Sequence, residues 1–219
     1  VKVLLITLGC PKNTVDSEHL AFLISRSEHQ LVTSYEAAEA VVINTCAFIG
    51  DAAQEAVDTI LEAAEHKAAG RLKQLLVTGC LVQRYGVELQ KEIPEIDAVL
   101  GLDHYEHIGD FLDSSSVVQE ETSLSIATPT ALYPASGEHR IISTPPHTAY
   151  LKLSEGCDNR CSYCLIPSLR GALRSRSNSD VLNEARQLAT QGVKELVLVA
   201  QDTTAYGHDR EKVTLLPGC

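Results

Sequence analysis

Three short apolar runs, each closing on a cysteine, constrain this chain more than anything else in its sequence. Leu4-Leu-Ile-Thr leads to Gly9-Cys10, Val41-Val-Ile-Asn to Thr45-Cys46, and Leu75-Leu-Val-Thr to Gly79-Cys80. Short apolar runs bounded by turn residues read as buried strands of a parallel sheet. Their separation is about one βαβ repeat, roughly 30 residues or more. Ligands of such sheets bind at the loops beyond the carboxyl ends of the strands, so the three thiols are expected to meet along one sheet edge. Any one of them alone would pass for core filling, since free cysteine is among the most buried residue types. A core cysteine should fall inside a strand, however, and all three fall just past one, in turns containing Gly or Thr.

The rest of the chain supports an α/β fold with a five-stranded, parallel, three-layer N-terminal domain over residues 1–113. The expected order is a strand at Val1 to Thr7, then a helix opened by Asp16-Ser17-Glu18 with Leu20, Leu23 and Ile24 on one face. A short strand at Leu31 to Thr33, a helical turn near Tyr35 and a strand at Ala40 to Asn44 follow. A helix over Ala52 to Ala69 carries Ala53, Ala56, Val57, Ile60, Leu61 and Ala64 at helical spacing, with Gly70 as its stop. Next come a strand at Gln74 to Thr78, a helix through Tyr85 to Lys91, a strand at Ala98 to Leu100 and a helix near His104 to Leu112.

Over 114–148 the periodicity fades and Ser, Thr and Pro accumulate, which reads as a linker or extended arm. Leu124, Ile126, Ile141 and Ile142 are candidates for short edge strands within it. From 149 to 219 a second domain begins with a strand at Tyr150 to Leu153. A helix follows, capped by Asn178, Ser179 or Asp180 and carrying the stripe Val181, Leu182, Ala185, Leu188 and Ala189, and then a strand at Glu195 to Ala200. This stretch supplies about two βα units against the six or more of a full barrel, so it reads as the incomplete start of one. With no Met even at position 1, the beginning reads as processed or trimmed.

Directly after the Tyr150 strand stand Cys157, Cys161 and Cys164, in Glu155-Gly-Cys-Asp-Asn-Arg-Cys-Ser-Tyr-Cys. Soft thiolates select zinc, copper or iron-sulfur chemistry, and a closed zinc site wants four ligands. The nearest histidine, His147, lies beyond the strand, and no Cys or His follows until His208. A four-iron cluster held by three cysteines leaves one iron open, which suits a reactive cluster better than a structural staple. A redox dithiol at Cys161 and Cys164 is the other reading, and it would leave Cys157 idle. Arg160, Arg170, Arg174 and Arg176 gather nearby, either as a solvated loop or to meet a carboxylate bidentately.

Several function classes lose support. A formal net charge of -11 opposes bulk electrostatic binding of nucleic acid, which needs a basic face. No apolar run approaches a membrane span and no targeting leader is present, so a cytoplasmic protein is expected. The cysteines are grouped as ligands rather than as a disulfide framework, and Cys219 has no assigned role. No GxxxxGK[ST] or GxGxxG stands after a strand, and His104 with His107 reads as a wet helix end.

Cys-x3-Cys-x2-Cys with Tyr163 before its last cysteine resembles the signature loop of the radical S-adenosylmethionine enzymes. The wider stretch from Tyr150 to Cys164, with Ile166-Pro-Ser-Leu-Arg-Gly and Arg174-Ser-Arg, resembles the methylthiotransferases among them. Leu8-Gly-Cys-Pro-Lys-Asn-Thr-Val-Asp-Ser-Glu18, Gly79-Cys-Leu-Val-Gln-Arg-Tyr85 and Ala200-Gln-Asp-Thr-Thr-Ala-Tyr-Gly207 are similar to the branch that modifies an aspartate of a small-subunit ribosomal protein. Ala47 stands where that branch often has Gly, and Arg210 to Cys219 matches nothing recognisable.

The resemblance implies two [4Fe-4S] clusters, one on Cys157, Cys161 and Cys164 and one on Cys10, Cys46 and Cys80, with S-adenosyl-L-methionine as cosubstrate. It implies radical abstraction of hydrogen from the aspartate β-carbon, then transfer of a methylated sulfur from the second cluster. Tyr163, Gln201, Asp202, Thr203 and Arg174 become the expected cofactor-binding residues, with Thr204 beside them. A flavodoxin or ferredoxin is the implied electron donor, and a small carboxy-terminal β-barrel for substrate recruitment is not encoded here. The tRNA adenosine branch and a non-catalytic iron-sulfur fragment are the alternatives.

Overall fold

A computed structural model of the chain describes residues 1–113, 129–130 and 140–210. Five strands, β1 (Lys2–Thr7), β2 (Gln30–Val32), β3 (Ala40–Thr45), β4 (Gln74–Gly79) and β5 (Ala98–Leu100), form one parallel sheet in the order β2-β1-β3-β4-β5. The five-stranded parallel sheet expected from the sequence is therefore present. Because the side chains of a strand alternate between faces, β3 supplies Ala40 and Val42 to one core and Val41 and Ile43 to the other. Helices α1 (Pro11–Arg26) and α4 (Ile108–Asp113) close the first face, and α2 (Gly50–Ala68) and α3 (Cys80–Glu92) the second.

The start of α1 differs from expectation. It begins at Pro11, whose fixed φ and missing N–H suit the first helical position. Asp16, Ser17 and Glu18 lie in the body of the helix and are buried. Asp16 and Glu18 serve a partner segment rather than a cap, and the Ser17 hydroxyl accepts from Asn44 Nδ2 at 2.9 Å. A second departure concerns α3, which starts at Cys80, five residues before Tyr85, where the backbone departs from helical geometry. A 3-10 stretch at Leu102–His107 precedes α4.

Of the edge strands expected between the two units, Leu124 and Ile126 lie outside the described residues. Ile141 and Ile142 form no strand, because this segment takes its polar partners from a helix. The Ile141 N–H donates to the Glu18 carbonyl at 3.0 Å, and the Ser143 N–H to the Glu18 carboxylate at 2.7 Å.

The second unit pairs β6 (Thr148–Lys152) in parallel with β9 (Glu195–Val199) and β7 (Ser154–Glu155) antiparallel to β8 (Arg174–Ser175). Helix α5 (Ile166–Arg170) follows the cysteine loop. Helix α6 (Asn178–Thr190) is capped by Ser177, one residue earlier than expected, whose hydroxyl accepts the Asp180 N–H at 3.2 Å. Among the described residues no helix is long and apolar enough to cross a membrane.

Gly79 is the tightest point of the sheet's carboxyl edge. Its φ is +96°, and a Cβ there would stand 2.4 Å from the Thr45 carbonyl oxygen. Gly79→Ala is expected to cost on the order of 3 kcal/mol, combining backbone strain with an overpacked contact. Urea denaturation checks this, and an unchanged midpoint would contradict it.

Candidate functional site

The order β2-β1-β3-β4-β5 places the reversal of winding between β1 and β3, the point where an open α/β sheet leaves a crevice beyond its strand ends. Cys10 follows β1 as the N-cap residue of α1, Cys46 follows β3, and Cys80 follows β4 as the first residue of α3. Close approach of the loops brings the first two together. A Cβ on Gly9 would lie 2.6 Å from the Cys46 Cβ and 2.9 Å from its Sγ, so only glycine fits beside Cys10 here.

Polar side chains hold these loops in place. Asn13 Nδ2 donates to the Leu8 and Thr45 carbonyls at 2.9 and 2.8 Å, and Asn44 Nδ2 donates to the Asn13 carbonyl at 3.0 Å. Thr45 Oγ1 donates to the Thr78 carbonyl at 2.5 Å.

The cysteine loop leaves β7 through Gly156, with φ +73°, where a Cβ would come 1.9 Å from the Ala172 carbonyl oxygen. The Cys157 N–H donates to the Gly171 carbonyl at 3.1 Å, and the Cys164 N–H to the Cys161 carbonyl at 3.0 Å. All six cysteines, Cys10, Cys46, Cys80, Cys157, Cys161 and Cys164, line one cavity of about 760 Å³. Each is a free thiol. Among the described residues no group of three His, Cys, Asp or Glu side chains is placed to hold a single metal ion. The donor set is six soft sulfurs around one roomy space, which suits bulky iron-sulfur cubes better than a closed four-ligand zinc site.

The remaining expected residues divide. Tyr163, 83% exposed, stands at the cavity with Phe48 and Ile49 as a large apolar lip. Gln201 lines the cavity, accepting from Lys12 Nζ and donating to Glu155 Oε1 at 2.9 Å. Asp202, Thr203 and Arg174 do not line it. Asp202 accepts from Asn159 Nδ2 at 3.0 Å and from the Thr204 N–H at 3.0 Å, so it fastens its own loop to the cysteine loop.

Of the four arginines read as either a solvated loop or a group facing a carboxylate, Arg170, Arg174 and Arg176 are committed elsewhere. Arg174 donates to the Ala172 and Arg170 carbonyls at 2.8 and 3.0 Å. Arg176 is buried against Asp180 and Glu184. Arg170 reaches Asp16 at 2.8 Å, Glu155 at 3.1 Å, Asn13 Oδ1 at 2.5 Å and Cys80 Sγ at 3.4 Å. Arg160 stays on the exposed loop.

Sequence reasoning missed the network to which Arg170 belongs. Lys152 Nζ pairs with Asp16 at 2.6 Å and Glu155 at 2.7 Å, and Lys12 Nζ pairs with Glu155 at 2.8 Å. All five side chains are buried. Burial alone would push the Glu155 carboxyl up, but Arg170, Lys12 and Lys152 outweigh it and hold the group well below its ordinary range. Burial brings the Lys12 ammonium down to about 8 against the pull of Glu155. Burial also pushes the Cys80 thiol up, while Arg170 favours its thiolate. A second network joins Arg140 to Glu18 at 2.5 Å and to Glu184. The available signal was charge where core belonged: Lys152 within an apolar strand, and Lys12, Asp16 and Glu18 on a helix that should bury one face.

Residues 2–101 match the family described as "Uncharacterized protein family UPF0004", and residues 151–216 match the Radical SAM superfamily. The chain is 50% identical over 213 residues to the ribosomal protein uS12 methylthiotransferase RimO of Syntrophomonas wolfei subsp. wolfei, covering 97% of this chain and 48% of that protein. It is 53% identical over 205 residues to the protein of the same name from Myxococcus xanthus, covering 94% of this chain and 42% of that one. The chain spans about half the length of the curated relatives it matches. Among solved structures it is similar to the radical S-adenosylmethionine methyltransferase TsrM from Kitasatospora setae, with a TM-score of 0.59, 13% identity, and coverage of 93% of this chain and 48% of that one. At that identity the likeness is one of fold.

Glu155→Gln would leave three buried cations facing one carboxylate, and removing a partner from such a pair costs about 3–5 kcal/mol. Glu39→Gln, which breaks the exposed pair with Lys73, should leave the urea midpoint essentially unmoved. Equal midpoints for the two variants would refute the ranking.

Proposed function

Because this chain belongs to the radical S-adenosylmethionine methylthiotransferase family, we propose that it carries the two-cluster centre of an enzyme that adds a methylthio group to the β-carbon of an aspartate in ribosomal protein uS12. The observation that carries this reading is the sharing of one cavity by both cysteine triads. Cys157, Cys161 and Cys164 would hold one [4Fe-4S] cluster, and Cys10, Cys46 and Cys80 the other. With S-adenosyl-L-methionine, these groups supply one-electron cleavage of a sulfonium and a sulfur atom for insertion at an unactivated carbon.

The chain's own side chains prepare that space. Ala52, Ile166 and Leu169 give the cavity apolar wall, and Phe48, Ile49 and Tyr163 form a lip that limits access of water to the reacting carbon. Gln201 presents its amide beside Lys12 at the end of β9, the edge at which parallel strands offer contacts to a cofactor. Tyr163 and Gln201 are assigned to S-adenosyl-L-methionine, whereas Asp202 and Thr203 act through the loop that Asp202 fastens, and Arg174 through the backbone turn it bridges. Residues 1–113 form the unit that carries one triad, and residues from 149 onward the unit that carries the other, with 114–148 joining them. A cytoplasmic setting and a small electron-transfer protein as reductant complete the reading.

The relatives' name, ribosomal protein uS12 methylthiotransferase, favours uS12 over tRNA as the substrate. Anaerobic reconstitution tests the centre: about eight irons and eight sulfides per chain are expected, falling to about four of each when Cys10, Cys46 and Cys80 are replaced by Ala. About four in the parent would leave one cluster and remove the sulfur-insertion chemistry, and none with a reversible disulfide would favour the dithiol. For the substrate, the chain extended to full length is expected to raise the mass of uS12 by one methylthio group. Methylthiolated tRNA with untouched uS12 would overturn the assignment.

A further inference from the structure

Arg170 lies at the end of α5, six residues after the last thiol of the compact loop, yet its guanidinium crosses to the other triad. Its Nε–H points at Cys80 Sγ at 3.4 Å, and its two terminal nitrogens are spent on Asp16, Glu155 and Asn13. With only 3% of the side chain exposed and every arm engaged, the guanidinium is fixed against the sulfur and cannot swing away. We propose that Arg170 is a positioning residue for the centre on Cys10, Cys46 and Cys80, and that its hydrogen bond and positive charge at Cys80 raise the reduction potential of the cluster held there. The inference rests on the two-cluster reading above and adds to it a residue from the opposite unit.

Two independent features carry it. The first is the contact itself: hydrogen bonds to a ligand sulfur, and charge buried near it, favour whichever oxidation state is more negative. The second is the charge balance of the network. Lys12, Lys152 and Arg170 are three buried cations, and Asp16 and Glu155 are the two carboxylates they bond. One positive charge is left over, and Arg170 is the cation of that set whose Nε–H is aimed at Cys80. Three thiolates around a dicationic iron-sulfur core leave one net negative charge, and adding an electron doubles it. In a low-dielectric interior the guanidinium therefore stabilises the reduced cluster more than the oxidised one. Lysine would supply the charge but not the fixed fork, since its point-like ammonium has no planar array of donors.

The test uses the chain with Cys157, Cys161 and Cys164 replaced by Ala, so that only the second triad can load, followed by anaerobic reconstitution and a redox titration read by electron paramagnetic resonance. In that background Arg170→Gln is expected to keep about four irons per chain and to show a lower midpoint potential with altered g-values. Arg170→Lys, which retains the cation and guards against a misfolded Gln variant, is expected to lie between Gln and the parent. Arg140→Gln loosens the other ionic contact between the units without touching a cysteine, and should leave midpoint and g-values unchanged. An unmoved midpoint in both Arg170 variants at full iron loading would overturn the proposal, as would an equal shift in Arg140→Gln. A parent that takes up no iron would instead refute the cluster assignment beneath it.

Discussion

The buried ionic contact between α1 and the cysteine loop is the interaction on which the site depends. An apolar interface would hold the two units together but would specify their relative orientation weakly, because the hydrophobic effect has no direction. Leu169 supplies an apolar anchor of that kind by joining the core on the α2 and α3 side. Register comes from the charges beside it: Arg170 must meet Asp16, Asn13 and Cys80 at once, while Glu155 collects Lys12 and Lys152. Burying such groups is costly, and a hydrophobic replacement of the whole set could be as stable or more so. What the ionic set contributes is one defined alignment of two loops that carry the thiols.

The backbone enforces the same alignment at shorter range. Gly9, Gly79 and Gly156 all hold positive φ, and each faces another loop so closely that a Cβ would collide with it. The first two crowd the carboxyl ends of the sheet strands and the third crowds the turn at Ala172. The cysteines follow or adjoin these points, so the thiols are aimed by loops that cannot drift apart without opening a gap and cannot close further. Asn13 and Asn44 fill the polar demands of the same turns, which explains buried amides at the end of a sheet whose body is aliphatic.

Much of this was legible in the sequence, and the unread part has a common cause. Strand-forming runs ending at Cys10, Cys46 and Cys80 revealed the sheet, because parallel strands buried on both faces are written as continuous apolar segments. The compact cysteine loop revealed its chemistry through spacing. Asp16, Ser17 and Glu18 were misread as a helix start because polar residues before an apolar stripe usually are one. The charged partners of Asp16 and Glu18, namely Arg140, Lys152 and Arg170, lie more than a hundred residues away, and no local pattern records a pairing at that distance. Arg170 was left open between a solvated loop and a ligand's carboxylate for the same reason: the sequence shows the cation and conceals Asp16, whereas Arg174 is held by backbone carbonyls and Arg176 by Asp180 and Glu184 nearby.

Neither unit contains the cavity alone. Its walls take Cys10, Cys46 and Cys80 from the sheet and Cys157, Cys161 and Cys164 from the loop, and Lys12 spans the seam to Ser154, Glu155 and Gln201. A molecule bound between the triads would therefore touch both units, and its binding free energy would add to that of their contact. Conversely, any change that loosens the contact dilutes the population in which the cavity exists, and lowers apparent affinity in proportion to that fraction. The polar face of α1 is thus part of the site's affinity even where it touches no ligand, because it fixes how often the two triads face each other.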